Sequence, residues 1–162
     1  MAVGDITFAV PNLASHVGAR KANVAAGATA INAGEPVAAT LGGVTVTAMA
    51  TNKPVVATDY IAGLSASTST DTASAAGVVD IIPFTQDMVL LANADTAATL
   101  DTQAEYDALV GDRVLLKTSA AGVQTILASD SSTSGLVIEP MDVSKYPGKV
   151  AFSVRAGAIY NA

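Results

Sequence analysis

Apolar positions along this chain recur mostly at a spacing of two, in short runs separated by Gly, Pro, Asn and Ser/Thr clusters. That period places alternate side chains on opposite faces of a pleated strand. Pro36–Leu41 and Val44–Met49 flank Gly42-Gly43, a pair suited to the positive φ angles of a type I′ turn, and so predict a hairpin. Pro54–Ala57 and Tyr60–Leu64 read as short strands, and Gly77–Ile82 as a strand closed by Pro83. Asp87–Leu91 holds the continuous apolar run expected of a strand buried on both faces. Arg113–Thr118 and Val123–Ala128, around Ser119–Gly122, predict a second hairpin. Gly135–Glu139 and Lys149–Arg155 complete the strands, the latter with Val150, Phe152 and Val154 facing inward.

One segment has helical spacing. Thr102 with Glu105 forms a capping-box pattern, Tyr106, Leu109 and Val110 share a face, and Gly111 is placed to end the helix. The Ser/Thr/Ala-rich stretch Ser65–Ala76 reads as a loop. Eight to ten short strands with a single helix predict a mainly β chain: a small antiparallel β-barrel or sandwich with one short helix and an extended N-terminal arm. Crossover helices for a parallel α/β sheet are missing.

The expected organisation is an N-terminal arm over residues 1–34 and one β domain over 35–162. Asp5–Val10 alternates and is stopped by Pro11-Asn12; an Ala/Gly/Asn-rich stretch follows. On such an arm Ile6, Phe8, Val10 and Leu13 are the apolar anchors available to a neighbouring protein. Ala-Ala-Gly-Val occurs at 75–78 and again at 120–123, which we read as shared turn chemistry and not a repeat architecture.

Composition changes the picture in one direction. Charged residues make up 14% of the 162 residues, against roughly 25% in an average soluble domain. Solubility rests on hydroxyls and small side chains, which are easier to desolvate at a protein contact than Lys or Glu. The net charge is −6, and the sole basic pair is Arg20-Lys21, so the clustered cations that nucleic acid or an anionic membrane requires are absent from the sequence. No apolar run approaches the ~18 residues of a membrane helix. Met1–Asp5 has no basic n-region, so no signal peptide is expected.

Candidate chemistry is thin. There is no cysteine and one histidine, His16; disulfides, Cys-ligated zinc and thiol catalysis are excluded, and a triad base would have to sit in the arm. Asp59, Asp71, Asp101, Asp112, Asp130 and Asp142 stand where turns and caps favour Asp. Asp71 and Asp130 lie in Ser-rich loops that offer oxygen ligands for Ca²⁺, though without EF-hand spacing. The expectation is a non-enzymatic chain with no catalytic, metal or cofactor-binding residues.

Several short motifs resemble the capsid decoration, or cement, proteins of tailed bacteriophages. They are Ile31-Asn32-Ala33-Gly34-Glu35-Pro36-Val37, the Gly77–Pro83 strand, Gly111-Asp112-Arg113-Val114-Leu115-Leu116, Gly135–Pro140 and Lys145-Tyr146-Pro147-Gly148-Lys149-Val150. The resemblance implies a structural virion protein, made in the host cytoplasm. It would be seated on the capsid exterior as a homotrimer, with the major capsid protein as partner and no nucleic acid or membrane. It transfers no catalytic residues. The helix and the second hairpin make this chain longer than the smallest such proteins. The alternatives are a head-fibre or carbohydrate-binding β domain, with Tyr60, Tyr106, Tyr146 and Tyr160 as the available platform, or another virion barrel such as a tail-tube subunit.

Overall fold

The computed structural model describes residues 7–8, 18–39, 45–50, 53–86, 88–95, 100–118, 124–127 and 133–159. The elements run β1 (Thr7–Phe8), β2 (Arg20–Val24), β3 (Pro36–Ala39), β4 (Thr45–Ala48), β5 (Tyr60–Ser65), β6 (Gly77–Ile82), β7 (Val89–Ala94), α1 (Gln103–Asp107), β8 (Arg113–Thr118), β9 (Gln124–Leu127), β10 (Leu136–Ile138) and β11 (Lys149–Val154). The chain is mainly β, as its alternation predicts.

Strands β2 to β6 close into a five-stranded barrel in the order β2-β4-β3-β5-β6. The second sheet runs β1-β7-β11-β10-β8-β9, and an added β7–β9 pairing closes its last five strands into a ring as well. Each ring is antiparallel except at one seam, β2–β4 in the first and β7–β9 in the second, where the strands are parallel. The expected antiparallel barrel is present, with one parallel pairing at each seam. Closure leaves few free strand edges to template aggregation.

The two rings have the same connectivity and the same register. In the first, Asn23 pairs with Thr45 and Val24 with Val46; in the second, Asn93 pairs with Thr125 and Ala94 with Ile126. Asn23 stands opposite Val78 on β6, and Asn93 opposite Lys149 on β11. Carried around both rings, these matches superpose Ala39–Val46 on Leu116–Ile126 and Pro36–Leu64 on Arg113–Val137, and they close consistently. The two rings are therefore repeats of one topology. The Ala-Ala-Gly-Val motif does not mark it: one copy leads into the fifth strand of its barrel and the other into the third.

The expected boundary at residue 34 falls inside the first barrel. Arg20–Val24 is one of its strands, and Val24 and Ile31 are fully buried in its core. The reason is that β6 needs a partner on each edge, and β2 supplies one of them across five paired residues. The β region is built as two barrels, with two hydrophobic clusters. The first barrel's own core is Val24, Ile31, Val37, Val46, Ala62, Val79 and Ile81. Met49, Ile61, Leu64 and Phe84 belong instead to the cluster of the second barrel.

Two segments cross between the barrels. Lys53 and Val55 form bridges with Leu116 and Ser134, where β8 and β10 diverge. There Leu116 N–H donates to the Lys53 carbonyl at 2.8 Å and Gly135 N–H to that of Pro54 at 2.8 Å. This is the region read from sequence as a Pro54–Ala57 strand; it is a two-bridge strap followed by a turn. A Cβ on Gly135 would stand 2.8 Å from the Pro54 oxygen and from the Ala158 Cβ, so the strap approaches as closely as it does because that residue has none. In return Ile159, after a short 3₁₀ turn at Ala156–Ala158, bridges Ile61 on β5.

Candidate functional site

Three places bear on function: the N-terminal strand, the α1 end of the second barrel, and the tyrosines. Of the expected anchors, Ile6, Val10 and Leu13 lie outside the described residues, as does His16. Phe8 lies in β1, which pairs antiparallel with β7 through Thr7 opposite Leu91 and Phe8 opposite Leu90. The N-terminal segment thus touches the chain's own second barrel at the edge of β7 that β9 leaves uncovered.

At the α1 end the sequence dictates the geometry closely. Thr102 is the N-cap: its hydroxyl accepts from Glu105 N–H, and the Glu105 carboxylate accepts from Thr102 N–H at 3.2 Å. The Thr102 hydroxyl holds the Glu105 carboxyl below the usual range. Asp101 is raised, first by its hydrogen bond to Glu105 and then by that residue's like charge. The helix covers Gln103–Asp107 and stops short of Leu109 and Val110, whose spacing predicted its continuation to Gly111, because Ala108–Gly111 turn to bring Gly111 N–H onto the Ile138 carbonyl.

Gln103 ties α1 to the β10–β11 connection. Its amide donates to the Met141 carbonyl at 2.9 Å, and its oxygen accepts from Val143 N–H at 3.0 Å. Asp142, lowered mainly by the Ser144 hydroxyl, caps the same loop. An open cleft of about 540 Å³ lies between, lined by Asp101, Gln103, Asp142, Val143, Ser144, Pro147 and Gly148. Its polar side chains are already engaged: Gln103 with the Met141 and Val143 backbone, Asp142 with Ser144, and Asp101 with Glu105.

Tyr106 is the buried pivot of this end. Its hydroxyl donates to the Glu139 carbonyl at 2.8 Å and accepts from Ala151 N–H at 2.9 Å, and burial pushes the phenol's pKa up. That removes it from any aromatic platform. Tyr146 is exposed, Tyr60 is half-buried, and Tyr160 lies outside the described residues. The Ca²⁺ candidates do not converge: Asp71 packs its backbone against Gly77, Asp130 is outside the described residues, and among the described residues no three metal-ligating side chains cluster. None of the described helices is long and apolar enough to cross a membrane.

Two features escaped the sequence reading. Ser134 at the strap is fully buried, and its hydroxyl finds no partner among the described residues. Glu35 is 4% exposed: its carboxylate accepts from Asn32 N–H at 2.9 Å and from the Asn32 amide at 3.0 Å, capping the turn that enters β3. The Asn32–Glu35 spacing was the available signal for the second; nothing local marks the first.

No family model matches the chain, and no curated protein matches its sequence.

Proposed function

We propose that this chain is a structural virion protein that binds the outer surface of a tailed-phage capsid, as a trimer, and stabilises the expanded shell. The observation that carries the reading is the surface chemistry. Only 14% of residues are charged, and the long β5–β6 connection, residues 66–76, exposes mainly Ser, Thr and Ala. Such a surface loses little solvation when another protein covers it. The short motifs from Ile31 to Val150 that resemble decoration proteins support the same reading. Their Gly-acid pairs, Gly34-Glu35 and Gly111-Asp112, both open the second strand of a barrel.

The mechanism is linkage. A protein that binds the expanded lattice and not its precursor favours the expanded state by mass action, and many copies multiply a modest energy per site. The N-terminal segment, with Ile6, Phe8, Val10 and Leu13, is the part proposed to supply apolar anchors to a neighbouring protein of the shell. The test is binding of the purified chain to expanded shells of its cognate capsid protein, with light scattering of the free chain. Saturable binding to expanded shells, lost on deleting residues 1–15 with folding retained, is the expected result. A chain that stays monomeric when concentrated and ignores the shells overturns the reading.

A further inference from the structure

The shared register of the two barrels exposes an asymmetry at one edge. In the second barrel, β7 has two neighbours on its β9 side: β9 beside Asn93 and Ala94, and β1 beside Leu90 and Leu91. The equivalent strand of the first barrel is β2, with β4 beside Asn23 and Val24. The positions that match Leu90 and Leu91 are Arg20 and Lys21. On that side no strand among the described residues pairs with them. Burial follows the pairing: Leu90 and Leu91 are buried, whereas Arg20 and Lys21 are exposed.

What fills the occupied slot is informative. Gly4-Asp5-Ile6-Thr7-Phe8-Ala9-Val10 matches Gly148-Lys149-Val150-Ala151-Phe152-Ser153-Val154 in its glycine, its phenylalanine, its final valine and its alternation. The pairing repeats the match. β11 sets Ala151 opposite Leu91 and Phe152 opposite Leu90, and β1 sets Thr7 and Phe8 opposite the same two residues from the other edge. The N-terminal segment is thus a second version of the fifth barrel strand, suited to pair antiparallel with a first strand. Both barrels possess such a first strand, and each chain carries one N-terminal segment.

We infer that the open edge of β2 at Arg20–Lys21 is an acceptor site for the N-terminal strand of a second copy of this chain, with Thr7 opposite Lys21 and Phe8 opposite Arg20. Three points favour this occupant. The acceptor edge carries two cations, one of them, Lys21, also paired with Asp80 at 3.3 Å, while the donor segment carries Asp5 and no cation. Among the described residues, two paired residues hold the donor on its own barrel. Residues 9–19 separate donor from β2, and eleven extended residues span up to about 36–40 Å, enough to reach an adjacent copy. Donor and acceptor are different surfaces, so the contact is head-to-tail and propagates until a ring closes. This inference concerns contacts between copies and does not rest on the capsid reading.

The chain has no cysteine, which makes cross-linking a clean test. Equal amounts of the Thr7→Cys and Lys21→Cys variants are mixed and oxidised, and likewise Phe8→Cys with Arg20→Cys. A mixed disulfide dimer in at least one pair is expected. Its absence in both pairs, while Thr7→Cys/Leu91→Cys in a single chain cross-links internally, overturns the inference. A second measurement needs no variant: the full chain with a synthetic peptide of residues 4–10, followed by amide hydrogen exchange. Lys21 is the residue whose N–H faces the open edge, because its partner Asp80 turns its own N–H away to Ser67, and exchange at that amide slows by about tenfold or more if the strand docks there. Unchanged exchange at Lys21 under saturating peptide, or protection confined to Leu91, overturns it.

Discussion

The two barrels share one wiring diagram and differ in what fills it. At matched inward positions the first barrel has Val46, Ala39 and Ile81 where the second has Ile126, Leu116 and Phe152. The first is plugged at its end by Ile31, the second by Tyr106 and Leu100 from the longer connection that carries α1. Small Val and Ala side chains suffice for a narrow ring. The larger residues of the second barrel, joined by Met49, Ile61, Leu64 and Phe84 from its neighbour, make it the mechanical centre of the molecule. Topology is therefore set by strand pairing, and stability by the volume each ring must fill.

One matched pair shows the same need met by different means. The fifth-strand amide at Asp80 donates to the Ser67 hydroxyl at 3.0 Å, and the equivalent amide at Ala151 donates to the Tyr106 hydroxyl. The preceding connection donates back alike, from Ala66 N–H to the Asp80 carbonyl and from Glu139 N–H to that of Ala151. A backbone N–H facing away from water must be satisfied. The first barrel recruits a serine from its own loop, and the second a tyrosine from the helix.

The comparison breaks most visibly at the core. Phe152→Ala is expected to cost about 3–5 kcal/mol by urea unfolding and Ile81→Ala about 2–3, since both lose transfer energy and leave a cavity. Equal losses, or a larger one at Ile81, would overturn the assignment of the second barrel as the stabilising half. Next comes the shared amide. Tyr106→Phe leaves two buried backbone groups without their partner and is expected to cost about 1–3 kcal/mol. Ser67→Ala costs less, because that site is half-exposed and water replaces the hydroxyl.

The phenol also sets an alkaline limit. Its pKa is raised in the folded state from the ordinary 10.0, so its contribution is complete below that pH and lost as pH rises through the folded value. The Tyr106→Phe variant should flatten the alkaline arm of a pH–melting-temperature curve. The smallest effect tests the wiring itself. Gly34 and Gly111 occupy matched positions with φ of 85° and 91°. Alanine at either should cost about 1–2 kcal/mol from the left-handed backbone alone. Matched penalties in differential scanning calorimetry support the equivalence of the turns that lead into β3 and β8; a loss at only one site refutes it.

Much of this was legible in the residues. Alternation located most of the strands, both hairpins were correctly paired, and Thr102 with Glu105 announced the helix start, because each of these depends on neighbours a few residues apart. The helix end was overestimated, since Leu109 and Val110 keep helical spacing while the Gly111–Ile138 bond turns the chain away. The surface reading, poor in charge and rich in hydroxyls, also came from composition alone.

What the sequence by itself determined is therefore local: most strand positions, the pairing of strands close in sequence, the cap and the low charge of the chain. The tertiary structure alone decided that ten strands form two rings, that residues 20–34 belong to the first of them, and that the strap at Lys53–Val55 locks the pair. These rest on pairings between distant residues, such as Asn23 with Thr45 and Val78, and Asn93 with Thr125 and Lys149. Hydrogen bonds between backbones carry no side-chain signature, so two segments with different residues adopt one register wherever ring closure leaves no other.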